Sequence, residues 1–379
     1  MNEDARRVPP EPIPLTVITG FLGAGKTTLL NRLLKDPALE ETAVVINEFG
    51  EIGIDHLLVE RVEGNVVQLT TGCLCCTMRG DLVDALETLL RDLDNNRCTF
   101  RRLVLETTGL ADPAPVLHTI MLHPYLVLRF RLDGIVTVVD AINGLATLDA
   151  QPESVKQVAV ADRMVLTKAD LVDSGARQNA KDRLLARVRA LNPGAPILDA
   201  AAGEAIAAPL LNCGLYDPER KIPDVRRWLA AEAHADAHAD AHAHHSHGHD
   251  PNRHDAHIRA FAYATDAAIG ETAFEMFLDL LRSVHGPNLL RLKGIVKLAE
   301  TPERPVVIHG VQHVFHPPTQ LEAWPDEDRR TRMVFIVRDI APTTISGLFD
   351  AFLGAPQVDR PDRAALVDNP LVPFGGVDR

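Results

Sequence analysis

The chain has 379 residues, of which 46% are hydrophobic, and a formal net charge of −13. At roughly 100–200 residues per domain, this length suggests two domains with at least one substantial core. No cluster of lysine and arginine stands out and no apolar run is long enough to cross a membrane, which argues against nucleic-acid and membrane partners. The five cysteines make a poor disulfide framework and no secretory h-region is present, so we expect a cytoplasmic protein.

The first half of the chain predicts a doubly wound, mostly parallel α/β sheet. Residues 1–13 are polar and rich in proline, and we expect a disordered leader there. Over 14–228, short apolar strands alternate with helices, a pattern typical of a parallel sheet covered on both faces. Strands are predicted at 14–19, 43–47, 65–70, 101–107, 134–140, 162–168 and 195–200, and helices at 28–36, 81–93 and 181–193.

The second half predicts a smaller α+β domain behind a linker. Residues 229–256 are dominated by alanine, histidine and aspartate and cannot build a core, which indicates a His-rich linker. A domain at 257–355 follows, and the Pro- and Asp-rich residues 356–379 predict a mobile tail. Within this domain, strands are predicted at 257–265, 289–300, 305–318 and 331–340, and helices at 271–284 and 345–354.

Residues 20–27 read Gly-Phe-Leu-Gly-Ala-Gly-Lys-Thr and match the pattern G-x-x-x-x-G-K-[ST] in full, between a predicted strand and a predicted helix. Glycines allow backbone N–H groups to turn toward phosphate oxygens, and the N-terminus of the following helix favours negative charge. Lys26 would contact the β- and γ-phosphates, and the hydroxyl of Thr27 would bind Mg²⁺. The segment is therefore predicted to be a P-loop, which binds a nucleoside triphosphate, and the sheet around it to have the P-loop NTPase fold.

Two further segments complete the predicted nucleotide site. Glu106 ends an apolar strand, so its carboxylate would serve Mg²⁺ or the attacking water at the ligand edge of the sheet. Residues 167–170, Thr-Lys-Ala-Asp, are similar to the guanine-specifying pattern N-K-x-D, with threonine at the first position. Asp170 would accept two hydrogen bonds from guanine and thereby exclude ATP. We predict a GTPase whose catalytic residues are Lys26, Thr27 and Glu106.

Cys73, Cys75 and Cys76 lie within four residues, between a predicted strand and a predicted helix. Three thiolates can converge on one ion such as Zn²⁺ or Cu(I), and they leave the fourth position of a tetrahedral zinc open. An open site of this kind can hand metal to a partner. A redox dithiol formed by Cys73 and Cys76 and a set of merely buried cysteines are the alternatives.

The His-rich linker is a second candidate for metal binding. His234, His238 and His242 are spaced four residues apart and would share one face of a helix. We expect weak, multivalent binding that raises the local supply of metal, and the alternative is a purely solvated linker. The remaining candidate ligands in this segment are His244, His245, His247 and His249.

Other histidines carry weaker signals. Along the predicted strand 305–318, His309 and His313 would share a face and His316 would lie on the other. We expect ordinary sheet-face histidines, with a role in metal binding or in contact with a partner protein as the alternative. We expect structural roles for the histidines in the first domain, which are His56, His118 and His123.

Taken together, the P-loop, the segment NEFGEIGID at 47–55, the C-x-C-C cluster and the segment ETTG at 106–109 resemble the CobW-like family of metal-handling GTPases. The resemblance covers nearly the whole chain. It implies GTP and Mg²⁺ as cofactors, and zinc carried at the cysteines to a client metalloprotein, with cobalt as the alternative metal. It also implies that Lys168 and Asp170 bind guanine and that Glu48 and Asp55 belong to the segment that responds to the γ-phosphate. Phosphate and Mg²⁺ contacts are implied for Gly20, Gly23, Ala24, Gly25, Lys26, Thr27 and Thr28.

Three other functions remain open at this level. They are a cobalt-handling GTPase for cobalamin synthesis, a nucleotide-regulated metal buffer, and a kinase of a small molecule. A metal buffer needs no hydrolysis, so turnover would separate it from a metallochaperone. A homodimer is the further partner that we consider beside the client metalloprotein.

Overall fold

The structure, a computed structural model, describes residues 10–49, 66–71, 78–211 and 257–354. The cysteine cluster, the His-rich linker predicted at 229–256 and the tail predicted at 356–379 lie outside these ranges. No helix within the described ranges has both the length and the apolar character needed to cross a bilayer.

Seven parallel strands form the first sheet, in the order β3-β2-β4-β1-β5-β6-β7. Both β1 and β5 are buried along nearly their whole length, as expected for strands covered on both faces. Each of the seven predicted strands is present, which confirms the predicted fold class. The strands are β1 (Ile13–Gly20), β2 (Thr42–Phe49), β3 (Val66–Thr71), β4 (Arg102–Glu106), β5 (Phe130–Asp140), β6 (Arg163–Thr167) and β7 (Ile197–Asp199).

Helices cover this sheet, and several of them were not predicted from the sequence. One of these, α3, begins where Asp112 accepts a hydrogen bond from the backbone N–H of Ala114, with Pro113 at the first helical position. The helices are α1 (Lys26–Leu33), α2 (Met78–Asp94), α3 (Pro113–Leu122), α4 (Leu126–Arg129), α5 (Gly144–Ala150), α6 (Pro152–Val160), α7 (Gly175–Leu191) and α8 (Ala207–Leu210), with short 3₁₀ turns at Pro37–Leu39 and Ala169–Leu171.

Side chains of the sheet alternate between two apolar layers. Leu15 and Val17 of β1 belong to a layer that contains Leu86 of α2 and Leu117 of α3. Residues on the opposite face of β1 and β5 belong to a layer filled by α1. Because all seven strands run parallel, their carboxyl ends meet at one edge of the sheet, and ligands of such sheets bind there.

An antiparallel sheet forms the second domain, in the order β11-β10-β9-β13-β8, with β12 paired to β10. Its helices pack on one face, where the rings of Phe277 and Phe349 meet edge-on with centroids 4.9 Å apart. This arrangement is the predicted α+β domain. The elements are β8 (Ile258–Thr265), α9 (Glu271–His285), β9 (Leu289–Val296), β10 (Val306–Val311), β11 (Val314–Phe315), β12 (Thr319–Gln320), β13 (Thr331–Arg338) and α10 (Pro342–Phe352).

The segment 305–318 is not one strand but a hairpin, and this corrects the predicted positions of its histidines. The chain reverses after Val311, at Gln312, whose φ of 52° lies in the left-handed region. His309 and His316 therefore lie opposite each other on one face, with ring centroids 5.1 Å apart, and the prediction that they face apart was wrong. His313, predicted to share a face with His309, instead lies at the turn, where its ring is 4.6 Å from that of His118.

A buried ionic cluster joins the two sheets. Asp162, at the start of the β6 segment, is 1% exposed and accepts hydrogen bonds from Arg291 of β9 and from the backbone N–H of Ile135. Lys293 Nζ lies 3.0 Å from the same carboxylate. Burial alone would raise the pKa of Asp162, but Arg291 and Lys293 hold that pKa well below its usual value. The carboxylate is therefore charged where the two sheets meet, within a shared apolar layer.

Candidate nucleotide site

The P-loop crosses the carboxyl edge of the first sheet between the end of β1 and the start of α1. Gly20 has a φ of 142°, and a Cβ there would lie 2.4 Å from the carbonyl oxygen of Val138, so glycine is required. Gly25 caps α1 with a φ of 94°. The first N–H groups of an α-helix have no partner inside the helix, so this loop directs backbone donors to one point, as an anion site requires.

Lys26 and Thr27 open α1 at that point. Lys26 is buried, and its ammonium lies 3.3 Å from the carbonyl oxygen of Phe21, over the mouth of the loop. The Thr27 hydroxyl donates a 3.1 Å hydrogen bond to Oε1 of Glu106, the last residue of β4. A hydroxyl and a buried carboxylate in contact beside a helix N-terminus are hard oxygen donors, and they fit Mg²⁺. The three predicted catalytic residues therefore lie together.

The segment after Glu106 lies against the P-loop. Thr107 donates a 2.8 Å hydrogen bond from its hydroxyl to that of Thr19 in β1. Gly109 is packed so closely that a Cβ on it would lie 2.6 Å from the backbone nitrogen of Leu22. This close approach fixes the loop after β4 beside the residues that would receive the terminal phosphate.

The predicted guanine-binding segment 167–170 is fastened to the same loop. Thr167 donates a 2.6 Å hydrogen bond to the carbonyl oxygen of Ala24. Lys168, with a φ of 56°, donates to the carbonyl oxygen of Gly23 at 2.8 Å. Asp170 is exposed on the following 3₁₀ turn. The threonine that replaces asparagine at the first position thus makes its own bond to the P-loop.

Known families match both halves of this chain. Residues 14–199 match the CobW/HypB/UreG nucleotide-binding domain, and residues 258–353 match the C-terminal domain of the cobalamin synthesis protein cobW. The zinc chaperone YjiA of Escherichia coli is 32% identical over 325 residues, which cover 86% of this chain and 94% of YjiA. The chain belongs to the CobW family.

Further comparisons support this assignment along the whole CobW-family chain. The zinc chaperone CobW of Pseudomonas aeruginosa is 30% identical over 371 residues, which cover 88% of this chain and 90% of that protein. The crystal structure of the Zn(II)-bound YjiA GTPase from E. coli is similar with a TM-score of 0.63 and 26% identity, and covers 90% of this chain and 99% of YjiA. The resemblance inferred from the sequence is confirmed.

Asp140, at the end of β5, is a residue of this CobW-family site that sequence reasoning missed. Its carboxylate accepts hydrogen bonds from Lys168 Nζ at 2.7 Å, from Asn143 Nδ2 at 2.9 Å and from the N–H of Ile142 at 2.7 Å. Burial would raise the pKa of Asp140, but these bonds outweigh it and lower that pKa. The signal was an acid at the end of an apolar strand, as at Glu106.

Several predicted residues of the CobW-family chain stay predictions. Glu48 lies in β2, with its backbone paired to Thr70 of β3. In the part of the chain that the structure describes, no group of three or more histidine, cysteine, aspartate or glutamate side chains could hold a metal ion. The predicted residues outside that part are Asp55, His56, Cys73, Cys75, Cys76, His234, His238, His242, His244, His245, His247 and His249.

The two described histidines of the first domain have local partners. The ring of His118 lies against that of His313, and Nδ1 of His123 is 3.4 Å from the backbone nitrogen of Leu126. His123 Nε2 also lies 3.8 Å from the carboxylate of Glu87. Such contacts fit the structural role expected for both.

Proposed function

We propose that this CobW-family chain is a GTPase that binds zinc and delivers it to a client metalloprotein. One observation carries the nucleotide half of this proposal: within a complete P-loop, the Thr27 hydroxyl lies 3.1 Å from the carboxylate of Glu106. The metal half is supported by the relatives, because two of them are zinc chaperones and the YjiA GTPase binds Zn(II) in its crystal structure.

The residues of the site have distinct roles in hydrolysis. Lys26 places a positive charge at the mouth of the P-loop, where charge develops on the transferred phosphoryl group. Mg²⁺, held by the oxygens of Thr27 and Glu106, would neutralise phosphate charge. Glu106 lies at the carboxyl edge of the sheet, so its carboxylate would also orient the attacking water. Phosphate contacts come from the backbone of 20–28.

Base recognition falls to the segment after β6. Asp170 accepts the two donors on the Watson–Crick edge of guanine, and adenine does not present that pair. Lys168 would also contact the base, and its ammonium donates a hydrogen bond to the P-loop at Gly23. This arrangement supports GTP rather than ATP as the substrate.

Zinc is the cargo, and we assign it to Cys73, Cys75 and Cys76. Thiolates stay available as ligands in a reducing compartment, so we propose a cytoplasmic location. The His-rich linker would supply the cysteines with metal. The client is a metalloprotein that accepts Zn²⁺ from an open three-thiolate site.

We also propose domain limits at 14–228 for the GTPase domain and at 257–355 for the C-terminal domain.

Strand register supports coupling between nucleotide and metal. In the first sheet β2 pairs with β4, where Ile46 lies beside Glu106, and with β3, where Phe49 lies beside Thr71. The chain leaves β2 toward the segment that contains Asp55 and leaves β3 toward the cysteines, at neighbouring positions of one edge. A γ-phosphate that reorganises the first segment would change zinc affinity at the second, and zinc must then change GTP affinity by the same factor.

Zinc affinity in different nucleotide states tests the proposal. Zn²⁺ binding is measured for the wild type with GDP·Mg²⁺ and with a non-hydrolysable GTP analogue, and again after Cys73, Cys75 and Cys76 are all changed to serine. A tight site that depends on the nucleotide and is lost in the variant is the expected result. Equal affinity in both nucleotide states would contradict the delivery mechanism and favour a buffer.

Cys98 provides the matched control. Its thiol is half-buried in the loop after α2, and burial raises its pKa, so it is a poor thiolate ligand. Cys98→Ser removes one thiol from the same domain and should leave zinc affinity within about twofold of wild type. A large loss in this variant would place the tight site elsewhere.

A further inference from the structure

Gln157 is a buried amide on α6 that no motif of the sequence singles out. Its side chain is 1% exposed. Nε2 donates two hydrogen bonds, to the carbonyl oxygens of Ala111 at 3.0 Å and of Gly109 at 3.3 Å. Both carbonyls belong to the loop between Glu106 and α3, so one side chain holds this loop at two points.

That loop stands beside the reacting end of the nucleotide site. It follows Glu106 directly, and its Gly109 is packed against the backbone of Leu22 in the P-loop. The N-terminal end of the loop is fixed by the bond from Thr107 to Thr19. Gln157 fixes the other end. Without it, Gly109 would be held only by its packing against Leu22 and by the more distant hydrogen bond of Thr107.

The orientation of the amide is determined by its surroundings. Two carbonyl oxygens require donors, so Nε2 faces them, and Oε1 has no hydrogen-bond partner among the described residues. Gln157 lines a cavity of about 210 Å³ together with Leu22 and Gly23 of the P-loop. The backbone carbonyl of Gln157 accepts a 2.7 Å hydrogen bond from Thr137 of β5, which fixes the helix from which the amide reaches out.

The same helix is held at its other end by the second domain. The carbonyl oxygen of Val160 accepts a hydrogen bond from Arg291, which also binds Asp162 just beyond α6. Helix α6 therefore connects the loop after Glu106, through Gln157, to β9 of the second sheet. This helix is therefore hydrogen-bonded to both domains.

We propose that Gln157 is a positioning residue for GTP hydrolysis, which holds the loop after Glu106 in register with the P-loop. The proposal rests on the GTPase activity proposed above and assigns Gln157 no contact with nucleotide. Because a misplacement of about 1 Å can lower a rate about 100-fold, loss of this double hydrogen bond acts on kcat. GDP binding depends on the P-loop and on the segment 167–170, to which the side chain of Gln157 makes no hydrogen bond, so GDP affinity should change little.

Asn192, just after α7, offers a matched control because it contacts the C-terminal end of α6. It is also a buried amide, and its Nδ2 donates to the carbonyl oxygens of Val158, Ala159 and Ala161 at 2.9–3.2 Å. Asn192→Leu removes these bonds without touching the loop after Glu106. Gln157→Met and Asn192→Leu thus remove comparable buried donors, of which only the first holds the catalytic loop.

The full-length wild type and both variants are compared for GTP turnover, GDP affinity and thermal unfolding. Gln157→Met should lower kcat at least about tenfold and keep GDP affinity within about twofold. Asn192→Leu should lower the melting temperature and leave kcat within about threefold. Wild-type kcat in Gln157→Met, or an equal loss of kcat in both variants, would overturn the positioning role. A wild type that does not hydrolyse GTP would instead refute the proposed function.

Gln157→Glu gives a second readout if the methionine variant fails to fold. A protonated carboxyl can donate to one carbonyl, whereas a carboxylate cannot, and burial raises the pKa of such a carboxyl. The ratio of kcat in Gln157→Glu to kcat in the wild type should therefore rise several-fold as the pH is lowered from 8 to 6. A pH-independent ratio would contradict the role, because a side chain that only fills space has no reason to titrate.

Discussion

The ammonium of Lys168 lies 2.8 Å from the carbonyl oxygen of Gly23, so the segment 167–170, which we propose reads the base, is hydrogen-bonded to the P-loop. Asp140 holds the same ammonium at 2.7 Å. The left-handed backbone of Lys168 directs its side chain along this path. The proposed base segment and the P-loop are therefore joined through the ammonium of Lys168, which the buried carboxylate of Asp140 holds in place.

Asp140→Asn should weaken nucleotide binding. The amide keeps the shape of the side chain but removes the charge that holds Lys168, so GDP affinity should fall about tenfold, equivalent to about 1.4 kcal/mol. Isothermal titration with GDP measures this. Asp133→Asn is the control, since Asp133 is equally buried on the same strand but pairs with Arg102, at 2.6 Å, at the far end. An equal loss of affinity in both variants would reduce Asp140 to a general stabilising role.

Asp170→Asn should change the preferred base. In the proposed base site the carboxylate would accept two guanine donors, whereas an amide would donate to the C2 oxygen of xanthine, so the GTP-to-XTP affinity ratio should fall at least about 100-fold. Competition binding with both nucleotides measures the ratio. Asp173→Asn, three residues further on and exposed in an ion pair with Arg177, should leave the ratio unchanged. An unchanged ratio in Asp170→Asn would remove Asp170 from the base site.

Thr27→Ala and Glu106→Gln should show strong coupling. The two side chains are 3.1 Å apart and would serve one ion, so each substitution should lower kcat about 100-fold and the double variant should be hardly worse than either single variant. GTP turnover at several Mg²⁺ concentrations tests this. Losses that simply multiply would show that the residues act independently.

Acid should destabilise the junction of the two domains. Burial lowers the pKa of His316 to about 4 and that of His309 well below its usual value, and Arg291 and Lys293 act in the same direction while Asp162 opposes them. In the unfolded chain these rings have a pKa near 6.5, so below that pH they bind protons in the unfolded chain but not in the folded chain. Stability should therefore be full above pH 6.5 and fall as the pH drops toward 4, by at most about 3 kcal/mol from His316.

Urea unfolding at pH 7.5, 6.5, 5.5 and 4.5 measures this loss. His316→Phe keeps an aromatic ring against His309 but removes one titrating group, so its stability should decline less over the same interval. A decline as steep as that of the wild type would place the acid sensitivity in carboxylates elsewhere.

The sequence predicted the strands and the P-loop because these depend on local patterns. Apolar β-branched runs and the G-x-x-x-x-G-K-T spacing carry their structural meaning within about ten residues. Helix α3 was missed because PAPVLHTIML is apolar almost all round and lacks a helical period, although Asp112 and Pro113 gave a start signal. The hairpin at Gln312 was missed because a residue other than glycine or asparagine adopts the left-handed conformation there.

The residues of the candidate site also fall into those that a local sequence pattern indicates and those that only long-range contacts reveal. Lys26, Thr27 and Glu106 could be predicted because each stands at a fixed offset from a strand end or a motif. Gln157 could not, since its importance arises from contacts with Gly109 and Ala111, 48 and 46 positions away in the chain. Asp140 carries the same strand-end signal as Glu106, but its partner Lys168 lies 28 positions away. Such contacts become visible only when the helices are placed on the sheet.

The charge cluster around Asp162 restricts how this architecture can be recombined. A second domain transplanted from a relative would have to provide basic side chains at the positions of Arg291 and Lys293. Without them, Asp162 would be a buried carboxylate with no cationic partner from that domain, which is strongly destabilising. The two domains are therefore expected to be exchanged together, in evolution and in protein engineering, because the apolar layer between them contains a buried ion pair that needs both partners.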